Sequence, residues 1–327
     1  MPSPTERLRP ILVTGALGQI GSELVPALRA RYGGDTVVAS DLRMVSSPAV
    51  AAGRHEQVDC TDLRQLAELV RRHNIGTIYH LAALLSASAE TRPQAAWNLN
   101  MNGLCNVLEV ARQSHCRVFF PSSIGAFGPT APQVHTPQLT IQRPTTIYGI
   151  TKLAGELLCD YYTQRFGLDA RGLRLPGLIS HTAPPGGGTT DYAVDIFHQA
   201  LRYRHYRCFL AADTRLDMMY MPDAIRAMIE LMEAEAGRLR FRNAYNITAM
   251  SVTPAEIALE ICKHIAQFTI DYEVDPVRQA IAESWPRSLD DSAARSDWGW
   301  SPKFDLPAMT QDMLVRLRPK SVVARAS

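Results

Sequence analysis

The chain has 327 residues, 46% of them hydrophobic, enough to bury a large core and to form a main domain with a smaller appendage. Its 34 Lys and Arg nearly balance 32 Asp and Glu, so the field around it is weak and gives no push toward nucleic acid or an anionic membrane; a small molecule is the expected partner. No run approaches the roughly 18 apolar residues that span a bilayer, and the opening MPSPTERLRP lacks a signal-peptide pattern, so the expected location is cytoplasmic.

In chain order, Ile11 to Thr14 is a short buried-strand pattern, Ile20 to Arg31 has helical spacing, and Thr36 to Ser40 is a second strand, together a βαβ unit. A third strand ends near Val58, followed by a helix from Leu63 to Arg72 and a strand from Thr77 to Leu81. A long helix from Ala95 to Ser114, a strand from Arg117 to Pro121, a helix from Tyr148 to Phe166 and a sixth strand from Ala170 to Leu175 continue the alternation. The fold class is α/β, a doubly wound parallel sheet. After Leu175 the texture turns to Pro, Gly and short mixed segments, with helices at Asp191 to Tyr203, Pro222 to Ala234 and Pro254 to Ala266. Residues 1–175 are read as a dinucleotide-binding domain and 176–327 as mainly a smaller substrate-binding domain, with 222–234 returning to the main sheet. Arg318 to Ser327 reads as a polar, fraying tail.

The six cysteines are scattered, with no CxxC and no Cys/His cluster at metal spacing, so they are expected to be reduced and structural, and no metal is implied. The basic, aromatic stretch Leu201 to Arg207 is read as a solvated helix end.

Directly after the first strand stands Gly15-Ala16-Leu17-Gly18-Gln19-Ile20-Gly21, opening a helix. Gly15 allows the tight turn, Gly18 lets backbone approach a pyrophosphate, Gly21 lets the helix pack on the strand, and the helix N-terminus at Gln19 and Ile20 faces the anion. Asp41 closes the second strand, where a carboxylate can accept from ribose hydroxyls; it favours NAD over NADP, although the neighbouring Leu42 and Arg43 leave some room for a 2′-phosphate. Asp59, beside Cys60, is placed to reach an adenine amino group, or else belongs to a helix start capped by Thr61 or Asp62. Leu81, Ala82 and Ala83 let the chain pass the cofactor, Leu175 and Pro176 border it, and His80 is read as an interior histidine rather than a catalyst.

Tyr148 and Lys152 stand four residues apart, on one face of a helix. A phenol titrates near 10, but a neighbouring ammonium and a nicotinamide cation favour the phenolate, which can then take a hydroxyl proton. Ser122 and Ser123 end the preceding strand at the carboxyl edge of the sheet, where Ser123 can hold a substrate oxygen.

Through the Gly15/Gly18/Gly21 turn, Asp41, the Ser122-Ser123 strand end and the YxxxK of Tyr148 and Lys152, the chain resembles the extended short-chain dehydrogenase/reductase family over nearly its whole length. The resemblance implies a Rossmann domain and a Ser123, Tyr148 and Lys152 triad. It also implies Ser122 near the nicotinamide, Lys152 on the nicotinamide ribose, and Asn100 supporting local backbone and a water chain. Within the family, His80 to Ala87, Arg174 to Ser180, Gly186 to Ala193 and Ser284 to Asp291 resemble the branch that oxidises the β-hydroxyl of L-threonine. That implies Ser86, Thr189, Thr190 and Trp285 around the substrate, with the Gly186–Gly188 loop and its threonines receiving a small carboxylate; ordinary N-capping and core packing are the rival readings of these residues. UDP-sugar epimerases share the scaffold, but this chain has Ser284-Trp285-Pro286-Arg287-Ser288 where they carry an Arg-Pro-Gly-Asp type segment, and Leu175-Pro176-Gly177 where they show an Asn-containing turn. A dinucleotide-binding protein without turnover is the remaining alternative; the intact Tyr148 and Lys152 pair argues against it. Family members pair through the helices at 95–114 and 148–166, which implies a homodimer.

Overall fold

The computed structural model describes residues 10–44, 52–184 and 186–318; the chain opening and the tail beyond Arg318 lie outside the described residues. The first half runs β1 (Ile11–Thr14), α1 (Gly21–Tyr32), β2 (Val37–Asp41), β3 (His55–Gln57), α2 (Leu63–Arg72), β4 (Thr77–His80), α3 (Ser86–Thr91), α4 (Pro93–Trp97), α5 (Gly103–Gln113), β5 (Arg117–Ser123), α6 (Ile147–Phe166) and β6 (Ala170–Leu175). The second half holds β7 (Gly177–Ile179), α7 (Tyr192–Tyr203), β8 (His205–Cys208), β9 (Leu216–Tyr220), α8 (Met221–Glu233), β10 (Tyr245–Asn246), β11 (Met250–Val252) and α9 (Pro254–Cys262). It closes with β12 (Thr269–Tyr272), α10 (Pro276–Glu283), α11 (Ser292–Trp298) and α12 (Leu306–Leu317).

Seven strands form one parallel sheet in the order β10-β6-β5-β4-β1-β2-β3. β1 and β2 are buried along their whole length and carry unbroken apolar runs, the pattern of strands covered on both faces. On one face α1 buries Leu24, Val25 and Leu28, and α8 adds Met228 and Met232 to the same core. On the other, Leu66 and Leu69 of α2 and Leu104 and Leu108 of α5 pack over Leu12, Val38 and Phe120. Asp62 caps α2 by accepting the amides of Arg64 and Gln65, and α6 starts under a Thr146 cap and stops at Gly167 in the left-handed region.

The chain runs β1, β2, β3 outward to one edge, then crosses back to place β4 beside β1. The carboxyl ends of β1 and β4 are therefore the switch point at which open α/β sheets form ligand crevices. Residues after Leu175 build the wall facing that crevice. β7, β9 and β11 make a small sheet, β8 and β12 a ribbon, and a third core gathers Ile179, Tyr192, Phe197, Met218, Ile257 and Trp285.

Two readings of the sequence are corrected. The helix expected over Ala95 to Ser114 is broken: Asn98–Asn102 winds as a π-helix between α4 and α5. An extra residue per turn there brings Asn100 inward, a device frequent at functional sites. The main sheet also has a seventh strand, β10, where six were expected; with two residues it is too short to carry a period. Helix Met221–Glu233 packs against α1 and β6.

A Cβ at Gly21 would lie 2.6 Å from the carbonyl oxygens of Gly15 and Ala16, backbone that cannot move aside. Gly21→Ala is therefore expected to lower unfolding free energy by about 1–3 kcal/mol, read as a shift in denaturant midpoint; an unchanged midpoint contradicts the packing described.

Candidate active site

At the switch point Gly15 takes φ +68°, and a Cβ on it would lie 2.6 Å from the amide nitrogen of Ala82, so the turn after β1 touches the loop after β4. Gly18 has only its own turn near it, the Gly15 carbonyl at 3.2 Å, and lines the crevice beside Gln19, Ile20 and Gly21. The buried Gln19 Nε2 has no hydrogen-bond partner among the described residues. A cradle of glycine backbone at a helix N-terminus, with an unpaired amide donor, fits a diphosphate.

Asp41 ends β2 with its carboxylate turned to this turn: Oδ2 accepts the Leu17 amide at 3.0 Å, and Oδ1 accepts the Arg43 amide and Nε at 3.1 and 3.0 Å. Burial pushes its pKa up, but the bonds from Arg43 and Leu17 outweigh that and hold it below its ordinary value. It stays charged, as a ribose-diol acceptor must, while Arg43 partly neutralises it. Leu42 is exposed beside it. Asp59 follows β3 and is engaged locally through one oxygen. Its Oδ1 is taken by the Thr61 amide and hydroxyl at 2.9 and 2.8 Å, and Asp62 supplies the helix cap. Cys60 is buried against Gly103. His80 is an interior histidine, its Nδ1 2.8 Å from the Thr14 hydroxyl; burial lowers its pKa to about 3 and keeps it neutral.

Helix α6 is seated on the end of β5 by Gly149, whose Cβ position lies 2.2 Å from the Gly125 carbonyl oxygen. Tyr148 and Ser123 both flank Gly125, and the Ser123 hydroxyl accepts the Gly125 amide at 3.1 Å. Lys152, 5% exposed, donates to the Pro121 carbonyl at 2.7 Å, and its Nζ lies 4.8 Å from the Phe120 ring centre and 5.5 Å from that of Tyr148. Burial lowers the lysine to about 8, opposed by the charge of Glu156. Burial also raises the Tyr148 phenol, and the nearby Ser123 hydroxyl only partly counters it. Added positive charge in the crevice, such as the expected nicotinamide cation, would act in the opposite direction and favour the phenolate.

Ser122 lines the cleft and donates its hydroxyl to Glu156. Asn100 holds the Leu84 amide at 2.9 Å and donates to Leu84 O and the Thr151 hydroxyl at 3.3 and 3.1 Å. It supports backbone on both sides of the site and does not border the cleft.

On the opposite wall Ser86 is buried, not an exposed loop serine; its hydroxyl lies 3.2 Å from that of Thr189 and accepts the Thr189 amide. Neither Thr189 nor Thr190 caps α7 through its side chain. The Gly187 and Gly188 amides, expected to receive a substrate carboxylate, bind Asp191 Oδ2 at 2.7 and 2.8 Å instead. That places a carboxylate in this wall, which suits an ammonium group better than a second anion. Trp285 joins both readings: it packs in the third core and lines the cleft, with Nε1 buried and unpartnered among the described residues.

These pieces meet in one cleft, open at its mouth. Gly15, Gly18, Gln19, Ile20, Gly21, Leu81, Ala83, Ser86, Ser122, Ser123, Tyr148, Lys152, Leu175, Pro176, Thr190 and Trp285 line it. Asp41, Leu42, Arg43, Asp59, Cys60, Ala82, Asn100 and Thr189 stand behind or beside it. Sequence reasoning missed Asp191, which looked like a helix start, and Gly149 and Glu156, whose partners are distant in sequence. Among the described residues no three His, Cys, Asp or Glu side chains converge to hold a metal, and no helix is long and apolar enough to cross a membrane.

A glycine cradle, an acid after β2 and a Tyr/Lys/Ser group in one cleft define a dinucleotide-dependent oxidoreductase. The chain belongs to the NAD dependent epimerase/dehydratase family, whose model matches residues 11–248. An uncharacterised epimerase/dehydratase of Staphylococcus saprophyticus is 54% identical over 96% of this chain and 98% of its own length. The L-threonine dehydrogenase structure from Clostridium difficile is 54% identical, with TM-score 0.93, over 95% of this chain and 98% of that one. The holo form of a GalE-like L-threonine dehydrogenase from Cupriavidus necator is 56% identical, with TM-score 0.92, over 94% and 99%. A monomeric L-threonine 3-dehydrogenase of metagenomic origin is 46% identical, with TM-score 0.91, over 94% and 98%. The chain is an NAD-dependent dehydrogenase, and its glycine turn, Gln19 amide and Asp41 fit that cofactor.

Removing the Asp41 charge removes repulsion toward a 2′-phosphate and leaves Arg43 free to meet it. Asp41→Asn is expected to move the NADP-to-NAD ratio of kcat/KM upward by about fivefold or more; an unchanged ratio places cofactor selection elsewhere.

Proposed function

We propose that the chain oxidises the β-hydroxyl of L-threonine to the ketone of 2-amino-3-ketobutyrate. The observation that carries this reading is the meeting in one cleft of the Tyr148/Ser123/Lys152 group with the Ser86, Thr190, Asp191 and Trp285 wall. The identity to L-threonine dehydrogenases, from 46% to 56% over nearly the whole chain, supports the substrate. Bound NAD supplies the hydride acceptor and a positive ring charge. Ser123 holds the reacting oxygen beside Tyr148, whose phenolate takes the hydroxyl proton. Lys152 spends one donor on Pro121 O and keeps two for the cofactor ribose and the phenol. Asp191 offers the substrate ammonium a counter-charge, and Trp285 closes the apolar side around the methyl group.

A UDP-sugar substrate fits this wall poorly. Among the described residues Lys152 is the one positively charged residue lining the cleft, whereas a nucleoside diphosphate needs cations of its own. The division near residue 176, with the substrate wall built mainly from residues beyond it, belongs to the same proposal. So does a cytoplasmic location, in keeping with six free cysteines. For assembly we favour a homodimer: Ile150, Leu157 and Tyr161 expose an apolar stripe on α6, with Trp97 on the neighbouring α4.

Formation of NADH with L-threonine, L-allo-threonine, L-serine and UDP-galactose tests the substrate; threonine turnover is expected, and turnover of the sugar alone would overturn the assignment. Tyr148→Phe is expected to lose about a hundredfold or more in kcat while NAD affinity holds; a fully active variant rules Tyr148 out as base. Leu157→Asp is expected to shift a dimer to monomers in sedimentation. A wild-type chain already monomeric contradicts the assembly proposed.

A further inference from the structure

We infer that Glu156 is a positioning residue for the reaction: it pins the Ser122 end of β5 to α6 and keeps a negative charge one turn behind Lys152. The inference rests on the assignment of Tyr148 and Lys152 above, and adds a residue that touches neither substrate nor cofactor.

Tyr148, Lys152 and Glu156 follow one another at intervals of four residues, so they share a face of α6. Glu156 is 1% exposed. Its Oε1 accepts the Ser122 hydroxyl and Arg174 Nε at 3.0 Å, and its Oε2 accepts Arg174 Nη2 at 2.8 Å. Arg174, itself buried, is fixed in turn by the Gln138 carbonyl at 2.8 Å, Asn246 Oδ1 at 3.1 Å and Gln142 Oε1 at 3.2 Å. One carboxylate therefore ties α6 to β5 directly and, through Arg174, to β6 and β10.

Ser122 stands between the two backbone positions that pose the reacting pair. Its predecessor Pro121 gives the carbonyl that receives Lys152, at 2.7 Å, and its successor Ser123 lines the cleft with Tyr148 beside Gly125. Fixing Ser122 fixes both. A strand end free to move by a fraction of an ångström would misplace the lysine and the substrate oxygen together.

The second half of the inference is electrostatic. The titratable groups around Lys152 are Tyr148 and Glu156 on its own helix and His80 on β4, the last kept neutral by burial. Around Glu156 stand Arg174 on β6 and Cys159 and Asp160 on α6. Glu156 is thus the negative charge that opposes the cost of burying the Lys152 ammonium. Removing it lowers the pH at which the lysine loses its proton, so the alkaline limb of activity moves to lower pH. An ion pair that only braced the sheet would change stability without moving that limb.

The test measures kcat and kcat/KM against pH, with NAD binding followed by calorimetry, in Ser122→Ala, Glu156→Gln and the double variant Glu156→Gln/Arg174→Gln. The double variant removes both buried charges together, which keeps the comparison open should Glu156→Gln fail to fold. Ser122→Ala is expected to lower kcat about tenfold with the alkaline limb in place. The variants lacking the Glu156 charge are expected to move that limb down by about one pH unit, with NAD affinity within about threefold of wild type. Wild-type kcat in Ser122→Ala, or an unmoved limb in a folded Glu156 variant, overturns the inference. An active Tyr148→Phe sinks the underlying assignment instead; an inactive one beside a Glu156 variant with the wild-type pH profile sinks the inference alone.

Discussion

The structure depends on burying a phenol and an ammonium side by side at the end of a parallel sheet. Low polarity acts on the two groups oppositely in pKa and identically in charge, since each is driven toward its neutral form: Tyr148 rises, and Lys152 falls to about 8. A site built this way is quiet by default. With Tyr148 as the base we propose, positive charge entering the crevice favours the proton acceptor, which would tie the chemistry to cofactor occupancy through electrostatics.

Topology puts that charge in the right place. Because β1 and β4 are neighbours although α1, β2, β3 and α2 separate them in sequence, the glycine turn after one meets the loop after the other, and both face the end of β5. The serine, tyrosine and lysine come from that strand end and from α6, held by Gly149 against Gly125. The second half of the chain then needs only to supply a wall, and it supplies one whose character comes from Asp191 and Trp285 rather than from cations.

Local requirements were legible in the amino-acid sequence. Glycines 15 and 21 announce themselves because backbone contact tolerates nothing larger, Gly18 by its place in the same turn, and Tyr148 and Lys152 because a four-residue spacing means one helix face. What stayed hidden arises from long-range contact. The π-turn at Asn98–Asn102 keeps the same apolar pattern as an ordinary helix. β10 is a strand only because β6 lies beside it. Asp191 reads as a helix start until its carboxylate is seen folded onto Gly187 and Gly188, and the hold of Thr61 on one Asp59 oxygen shows only in the folded turn. Ser122 lines the cleft as the resemblance implied, but the bond of its hydroxyl to Glu156, thirty-four residues away, could not be read from the strand.

The central claim is that the Tyr148 phenol is held protonated by the protein and released by the cofactor. The direct measurement is a spectrophotometric titration of tyrosinate in the free protein and in its NAD complex, with Tyr148→Phe subtracted from each. The account requires the difference signal to titrate above 10 in the free protein and at least about one unit lower with NAD bound. A signal at the same pH in both states would contradict it.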